Sequence, residues 1–402
     1  KKRLRIASKK DMEGIKMVDL NGLMNRIRPE LDVAIKRVLD SGRFIGGEEV
    51  EGFSKELKSA LCLHEGKTMG GLSDDVFIVP CANGTDALQI ALMALGIGPG
   101  DEVITPAFTF ISTVEVIALL GAKAVLVDVQ ADTFNIDCRE VEKAITEKTK
   151  AIIPVHLFGQ CADMGALMAI SNKTGVPIIE DTAQSLLSTY CDDQGMSGRA
   201  GLFGAFGTTS FFPSKNLGCI GDGGALFTRD KKLAQTAKSI ANHGGSKRYQ
   251  HDRVGLNSRL DALQAAVLRV KLPHLNSHIS QRQNAAAIYD DLLQNVEGVV
   301  VPARDEKSSH VFNQYTIKLE DEIRDELARG LAEDGVPTGV YYPKGIHEQK
   351  AFEGLGYKTG AFPITEKLSK TVLSLPMHTE LSSAQQKYIV ARLVSRLRDM
   401  KD

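Results

Sequence analysis

VFIVPCANGTDALQIALMALG, residues 76–96, decides the fold. A short, almost wholly apolar run delivers the chain to Asn83, Gly84 and Thr85, and from there it passes straight into a helical pattern. An apolar run of this length reads as a strand buried on both faces, and the helix that follows reads as the crossover to a parallel neighbour. The alternation continues outward. DEVITP (101–106) precedes a helix through VEVIALLG (114–121), and KAVLVD (123–128) follows. AIIPVHL (151–157), a helix through ALMAISNKTG (166–175) and VPIIED (176–181) complete the series. Such spacing predicts an α/β fold, a parallel sheet covered on both faces and joined by right-handed crossovers.

Past about residue 270 the texture changes. A polar helix through Ala287 and Leu292 leads to two alternating segments, VFNQYTIKL (311–319) and GVYYP (339–343), with helices between and after them. This predicts a smaller α+β domain. The expected division is a loose, tag-like terminus at 1–16, a large domain with an N-terminal arm at 17–275, and a small C-terminal domain at 276–402. Within the arm, GRFIGG (42–47) is expected to form a loop reaching a neighbouring surface, and LHEGKTMGGLSDD (63–75) a surface loop. No internal repeat interrupts the pattern.

Composition narrows the function. The 402 residues are 43% hydrophobic and 25% charged, near globular averages, which excludes collagen-like and wholly disordered classes. Lys and Arg total 49 against 50 Asp and Glu, so no global field draws the chain to nucleic acid or an anionic membrane. A polyanionic ligand must then be held by a local site. Six cysteines lie far apart without a C-x-x-C pair, which suits reduced thiols in a cytoplasmic protein, and no apolar stretch reaches the length of a membrane span.

Three motifs fall where an open parallel sheet places ligands, beyond the carboxyl ends of strands. In CANGTDAL, Gly84 lets backbone approach a phosphate and the helix start supplies free N–H groups. A plain helix start capped by Asn83 or Thr85 explains the same residues. In VPIIEDTAQS, a strand delivers Asp181 to its end, where a carboxylate can hold a protonated ring nitrogen. Asp181 as an ordinary helix cap is the alternative. In GTTSFFPSKNLGCIGDGGAL, Lys215 sits between an aromatic strand and a glycine-rich segment, a place where a desolvated amine can form a Schiff base. Taken in order, these are the three contacts that pyridoxal phosphate demands, for phosphate, ring nitrogen and aldehyde.

NGTDAL, PAFTF, VHLFGQCADM, EDTAQS, SFFPSKNLGCIGDGGA, NHG and GLNSRLDALQAA occur in the order found in the DegT/StrS family of nucleotide-sugar aminotransferases, which this chain resembles from Val18 to about Leu381. Among them it looks most similar to members that aminate a 3-keto uronic acid sugar nucleotide for O-antigen assembly. The resemblance implies the aspartate-aminotransferase-like (type I) fold with a mixed, mostly parallel sheet in the large domain, pyridoxal 5'-phosphate as cofactor, glutamate as donor, and a homodimer with shared active sites. It implies Lys215 as the cofactor-bonded lysine and Asp181 as the ring-nitrogen partner. Gly84, Thr85 and Ser210 would hold the phosphate, Phe110 would stack on the ring, and Gln184 would lie near the ring hydroxyl. Asn257 would reach the partner subunit's phosphate, and Arg259 would bind a carboxylate of the donor or of a uronate. Tyr341 and Tyr342 fall at the substrate, although the family often carries His where Tyr341 stands.

Other readings compete on single features. A nicotinamide dehydrogenase would need a glycine fingerprint, but GIGPGD (96–101) has Asp101 in the third glycine's place. A non-catalytic regulator on the same fold, or a dehydratase lacking the lysine, is opposed by Lys215. His274 and His278 share helical i, i+4 spacing without a further ligand nearby and are expected to be exposed, so no metal is assigned.

Overall fold

The computed structural model describes residues 14–64, 67–68, 76–320 and 322–400. Residues 1–13 and most of the 63–75 loop lie outside the described residues; from the latter, Leu63–His64 and Lys67–Thr68 pair as a short antiparallel ladder.

Seven strands build the main sheet: β1 (Phe77–Cys81), β2 (Glu102–Pro106), β3 (Lys123–Val127), β4 (Thr149–Ile152), β5 (Ile179–Asp181), β6 (Phe206–Ser210) and β7 (Gly224–Thr228). One group runs β1-β7-β6-β5 and the other β4-β2-β3. Parallel bridges from Ile152 to Ile178 and from Val155 to Asp181 join β4 to β5. Every strand is parallel except β7, which is antiparallel to both β1 and β6. The α/β sheet expected from the strand spacing is present, but it is mixed and mostly parallel, as the type I fold implies, rather than wholly parallel. Its odd strand follows the lysine loop.

Side-chain parity divides the core. On β2, Val103 faces the helices Gly84–Ala94, Ser112–Leu119 and Lys231–Ala241, while Ile104 faces the helix Met164–Thr174 on the other side. Phe227 of β7 packs under Glu48–Cys62 and Ala262–Lys271. The same parity turns Asp181 toward the face of Ile179 and its neighbour Glu180 toward the opposite one.

A second core gathers Tyr289, Leu293, Tyr315, Ile317, Leu327, Leu373, Ile389 and Leu393 around the antiparallel strands β8 (Val299–Val300), β9 (Tyr315–Leu319) and β10 (Val372–Leu375). The helix Leu275–Leu293 begins in the large core at Leu275 and Ile279 and ends in this one. GVYYP departs from the alternating strand its sequence suggests: only Gly339 bridges to Ser374, and the tyrosines that follow leave the sheet. The GRFIGG loop bridges Ile45 to Asp261 and leaves Phe44 and Ile45 exposed. His278 is buried, against expectation. Its Nε2 meets Arg26 at 3.1 Å, and burial pulls the imidazole down to about 4.

Candidate active site

Asn83, extended at φ −165° and ψ 174°, caps the helix Gly84–Ala94: its Oδ1 accepts the Asp86 N–H at 2.8 Å. The cap and the ligand-cradle readings are compatible, because capping uses the Asp86 N–H and leaves the first-turn amides of Gly84 and Thr85 for an anion. Two glycines make the approach possible. A Cβ on Gly84 would lie 2.7 Å from Ser210 Cβ, so the loop touches the end of β6. A Cβ on Gly224 would lie 2.3 Å from the Asn83 carbonyl oxygen, which explains a glycine at the start of β7 that sequence reasoning left without a role.

Asp181 stands at the end of β5 with one carboxylate oxygen accepting the Ala183 N–H at 3.0 Å and the other accepting the Thr113 hydroxyl at 3.3 Å. Thr113 was not singled out in the sequence, since nothing in ISTVEV distinguishes it from a core threonine. Burial raises the Asp181 carboxyl above the ordinary carboxylate range, against the pull of the Ala183 N–H and the Lys215 charge. Burial pulls the Lys215 ammonium below the ordinary lysine range, and Asp181 opposes it. Each group is thus held away from its usual charge state.

Asn83, Gly84, Thr85, Phe110, Asp181, Gln184, Ser210, Lys215, Tyr341 and Tyr342 all line one cavity of 430 Å³, within the range of small-molecule sites. Phe110 is 53% exposed and lines this cavity, its ring 6.2 Å from that of Tyr342, while the core position is taken by Phe108. Gln184 is buried rather than solvated. Its Oε1 accepts the Phe158 N–H at 2.7 Å and its Nε2 donates to the Tyr342 hydroxyl at 3.1 Å.

Asn257 and Arg259 are not brought to this cavity within the chain. Between them Ser258 is fully buried and accepts the Ala82 N–H at 3.1 Å, so the segment is anchored behind the Asn83 loop while its flanking side chains face outward. Arg259 lines a separate surface groove of 1190 Å³ with Ile45, Lys55, Lys232, Lys238 and Arg253. GIGPGD, for its part, joins the helix Gly84–Ala94 to β2, a helix-to-strand turn, whereas a dinucleotide fingerprint joins strand to helix. That removes the dehydrogenase reading.

The profile of the DegT/DnrJ/EryC1/StrS aminotransferase family matches residues 25–394. The chain belongs to this family. Over 381 residues it is 45% identical to the UDP-2-acetamido-2-deoxy-3-oxo-D-glucuronate aminotransferase of Pseudomonas aeruginosa, covering 95% of this chain and 100% of that protein. A "pleiotropic regulatory protein" of Geobacillus stearothermophilus is 46% identical over 382 residues, 94% of this chain and 97% of its own. The crystal structure of S. venezuelae DesV in complex with a ketimine intermediate superposes with a TM-score of 0.86 at 38% identity, covering 96% of this chain and 98% of that one.

The aminotransferase takes pyridoxal phosphate as its cofactor. The residues present fit that group. Asp181 is a buried carboxylate with no ion-pair partner within salt-bridge distance among the described residues, and a cationic ring nitrogen is the kind of charge that offsets such burial. Helix-terminal amides, the Ser210 and Thr85 hydroxyls and the Gly84 approach form a cradle for a phosphate dianion at the other end.

Proposed function

We propose that this aminotransferase transfers an amino group from glutamate to a UDP-linked 3-keto sugar, for surface polysaccharide or lipopolysaccharide synthesis, as a cytoplasmic homodimer with shared active sites. One observation carries the chemistry: Lys215 and Asp181, each pushed toward its neutral form, line the same cavity as the Asn83–Thr85 helix start. The sugar is supported by the name of the Pseudomonas relative and by its identity over the full length of both chains. The name of the Geobacillus relative points to regulation, but an amine in a cavity of this composition favours turnover.

The cofactor, when bound, supplies an electron sink for the carbanion formed at the donor carbon. Lys215 would hold it covalently and, once freed by the amino donor, its amine would take the proton from the substrate carbon. Burial lowers the basicity of this amine and so favours its uncharged, proton-accepting form. Asp181 keeps the ring nitrogen protonated, and Thr113 and the Ala183 N–H orient the carboxylate. Phe110 would pack on the ring face, and Gly84, Thr85 and Ser210 would hold the phosphate.

Asn257 and Arg259 serve the partner subunit's site in this proposal, Asn257 at the phosphate and Arg259 at a substrate carboxylate, for which a planar guanidinium is suited. Support comes from their exposure and from large apolar residues left uncovered nearby: Ile45 lines the Arg259 groove, and Phe212 lines the Lys215 cavity. The cysteines form no disulfide among the described residues, which suits a reducing compartment.

Purified protein given pyridoxal phosphate should show a visible band that borohydride removes and glutamate shifts, and a panel of 3-keto and 4-keto nucleotide sugars should restore it with the 3-keto members. No shift with any amino donor defeats the proposal. For the shared site, mixing Lys215→Ala with Asn257→Ala subunits should recover roughly one quarter of wild-type activity through random re-pairing. Recovery no higher than that of either variant alone rejects the cross-subunit role.

A further inference from the structure

We propose that Asn313 selects the sugar, by hydrogen bonding an uncharged polar group of the keto sugar from the wall opposite the cofactor cradle. The inference rests on the amination of a sugar substrate set out above and goes beyond it in naming a residue that reads the sugar itself. Asn313 is only 4% exposed, it lines the cavity of Lys215 and Asp181, and its Oδ1 is buried with no hydrogen-bond partner. Among the described residues with such an orphaned side-chain atom, Asn313 is the one that lines this cavity. A buried amide carbonyl left without a donor costs about 1–3 kcal/mol, so a ligand that supplies one gains directly.

The backbone around Asn313 is built to hold it there. Phe312, immediately before it, sits at φ 47°, a left-handed conformation unfavourable for a bulky residue. Three contacts keep it so. The Phe312 N–H donates to His310 Nδ1 at 3.1 Å, the His310 and Phe312 rings stack with centroids 3.9 Å apart, and the buried Arg282 guanidinium donates to the Phe312 carbonyl at 3.0 Å. On the other side, the Asn216 amide donates to the Val311 carbonyl at 3.0 Å, tying this segment to the residue after Lys215. A strained turn fixed from several directions presents a side-chain carbonyl oxygen that no donor among the described residues meets.

The chemistry of the wall sets the class of ligand. Asn313, Gln314, Tyr341 and Tyr342 line it together and bring no formal charge, whereas Arg259 stands in another groove. An amide beside phenols matches hydroxyl or acetamido groups, which donate and accept, better than a carboxylate, which only accepts. Rejection of a sugar lacking the matched group follows from the same orphaned atom, because a site built to hydrogen bond a substrate penalises an analogue that leaves it unpaired.

The two half-reactions provide the test, with glutamate as one probe and UDP-2-acetamido-2-deoxy-3-oxo-D-glucuronate as the other. Asn313→Leu and Asn313→Ala should keep the visible cofactor band and convert glutamate within about threefold of wild type. Their kcat/KM for the sugar should fall by roughly 10- to 100-fold. Binding of the aminated sugar product, followed by calorimetry, should weaken by a similar factor, and Asn313→Gln should recover part of the loss. Equal losses in both half-reactions overturn the proposal by making Asn313 a structural or cofactor-side residue, and an unchanged sugar half-reaction overturns it outright. If wild-type protein converts glutamate but no keto sugar, the sugar reading itself fails. That outcome is distinct from Asn313 variants that turn over the sugar as well as the wild type does.

Discussion

The two walls of the cavity are made differently. The floor comes from ends of neighbouring strands and the helix they feed: Asn83 to Thr85 after β1, Asp181 at β5, Ser210 at β6 and Lys215 just beyond it. Its polar groups find partners close in the chain, as Asp181 does with Ala183 and Asn83 with Asp86, with Thr113 as the one distant donor described to Asp181. The other wall, made by Asn313, Gln314, Tyr341 and Tyr342, is irregular chain, and the contacts that hold it are long-range: Gln184 to Tyr342, Asn216 to Val311, Arg282 to Phe312. A floor set by sheet geometry suits a cofactor whose shape never varies. An irregular wall can change without disturbing the sheet, which suits a surface that chooses among substrates.

Removing the amine from the floor should have the largest effect. Lys215→Ala is expected to lower turnover by about 10⁴-fold or more with the fold intact, measured by rate and by circular dichroism; appreciable transamination would break the comparison at its strongest point. Asp181→Asn should cost on the order of 100-fold in rate. It should also stabilise the cofactor-free protein. Because burial raises this carboxyl, its stabilising contribution belongs to the protonated form. That contribution is present below the unfolded value and is lost as pH rises through the raised one. Melting curves should therefore show the variant ahead of wild type at neutral and higher pH, with the gap closing in acid. A gap that widens in acid contradicts the burial argument.

Gly84→Ala probes the contact between loop and strand. With the new Cβ 2.7 Å from Ser210 Cβ the cradle must shift, and cofactor affinity should weaken roughly tenfold in equilibrium dialysis. On the facing wall, Tyr342→Phe removes only the acceptor of the Gln184 amide. A loss of roughly threefold to tenfold, in the sugar half-reaction more than the glutamate one, is expected. If Tyr342→Phe instead impaired cofactor retention as Gly84→Ala does, the two walls would not divide the work.

The site was unevenly legible in the sequence. Gly84, Thr85, Asp181, Ser210 and Lys215 stand out because each sits where an apolar run ends, and their convergence follows from the order of the motifs. Thr113 and Asn313 gave no such signal. A threonine in a helix and an asparagine before a strand are ordinary until the fold shows what they face. GVYYP reads as a strand from its alternation, yet the chain pairs only at Gly339, because the strand β10 edge it meets is used at one residue. His278 reads as a surface residue on a polar helix, but the N-terminal arm with Arg26 covers it.

Local pattern by itself determined the α/β class, the strand ends and the presence of an amine, a carboxylate and an anion cradle in this chain, because burial forces apolar runs and glycine permits close approach wherever they occur. Tertiary structure alone decided that strand β7 reverses, that Asn257 and Arg259 face away from their own chain's cavity, and that the Asn313 Oδ1 stands without a partner in the wall of the Lys215 cavity. Those outcomes depend on which distant segments meet, and contact between residues far apart in the chain leaves no period or spacing in the sequence to read.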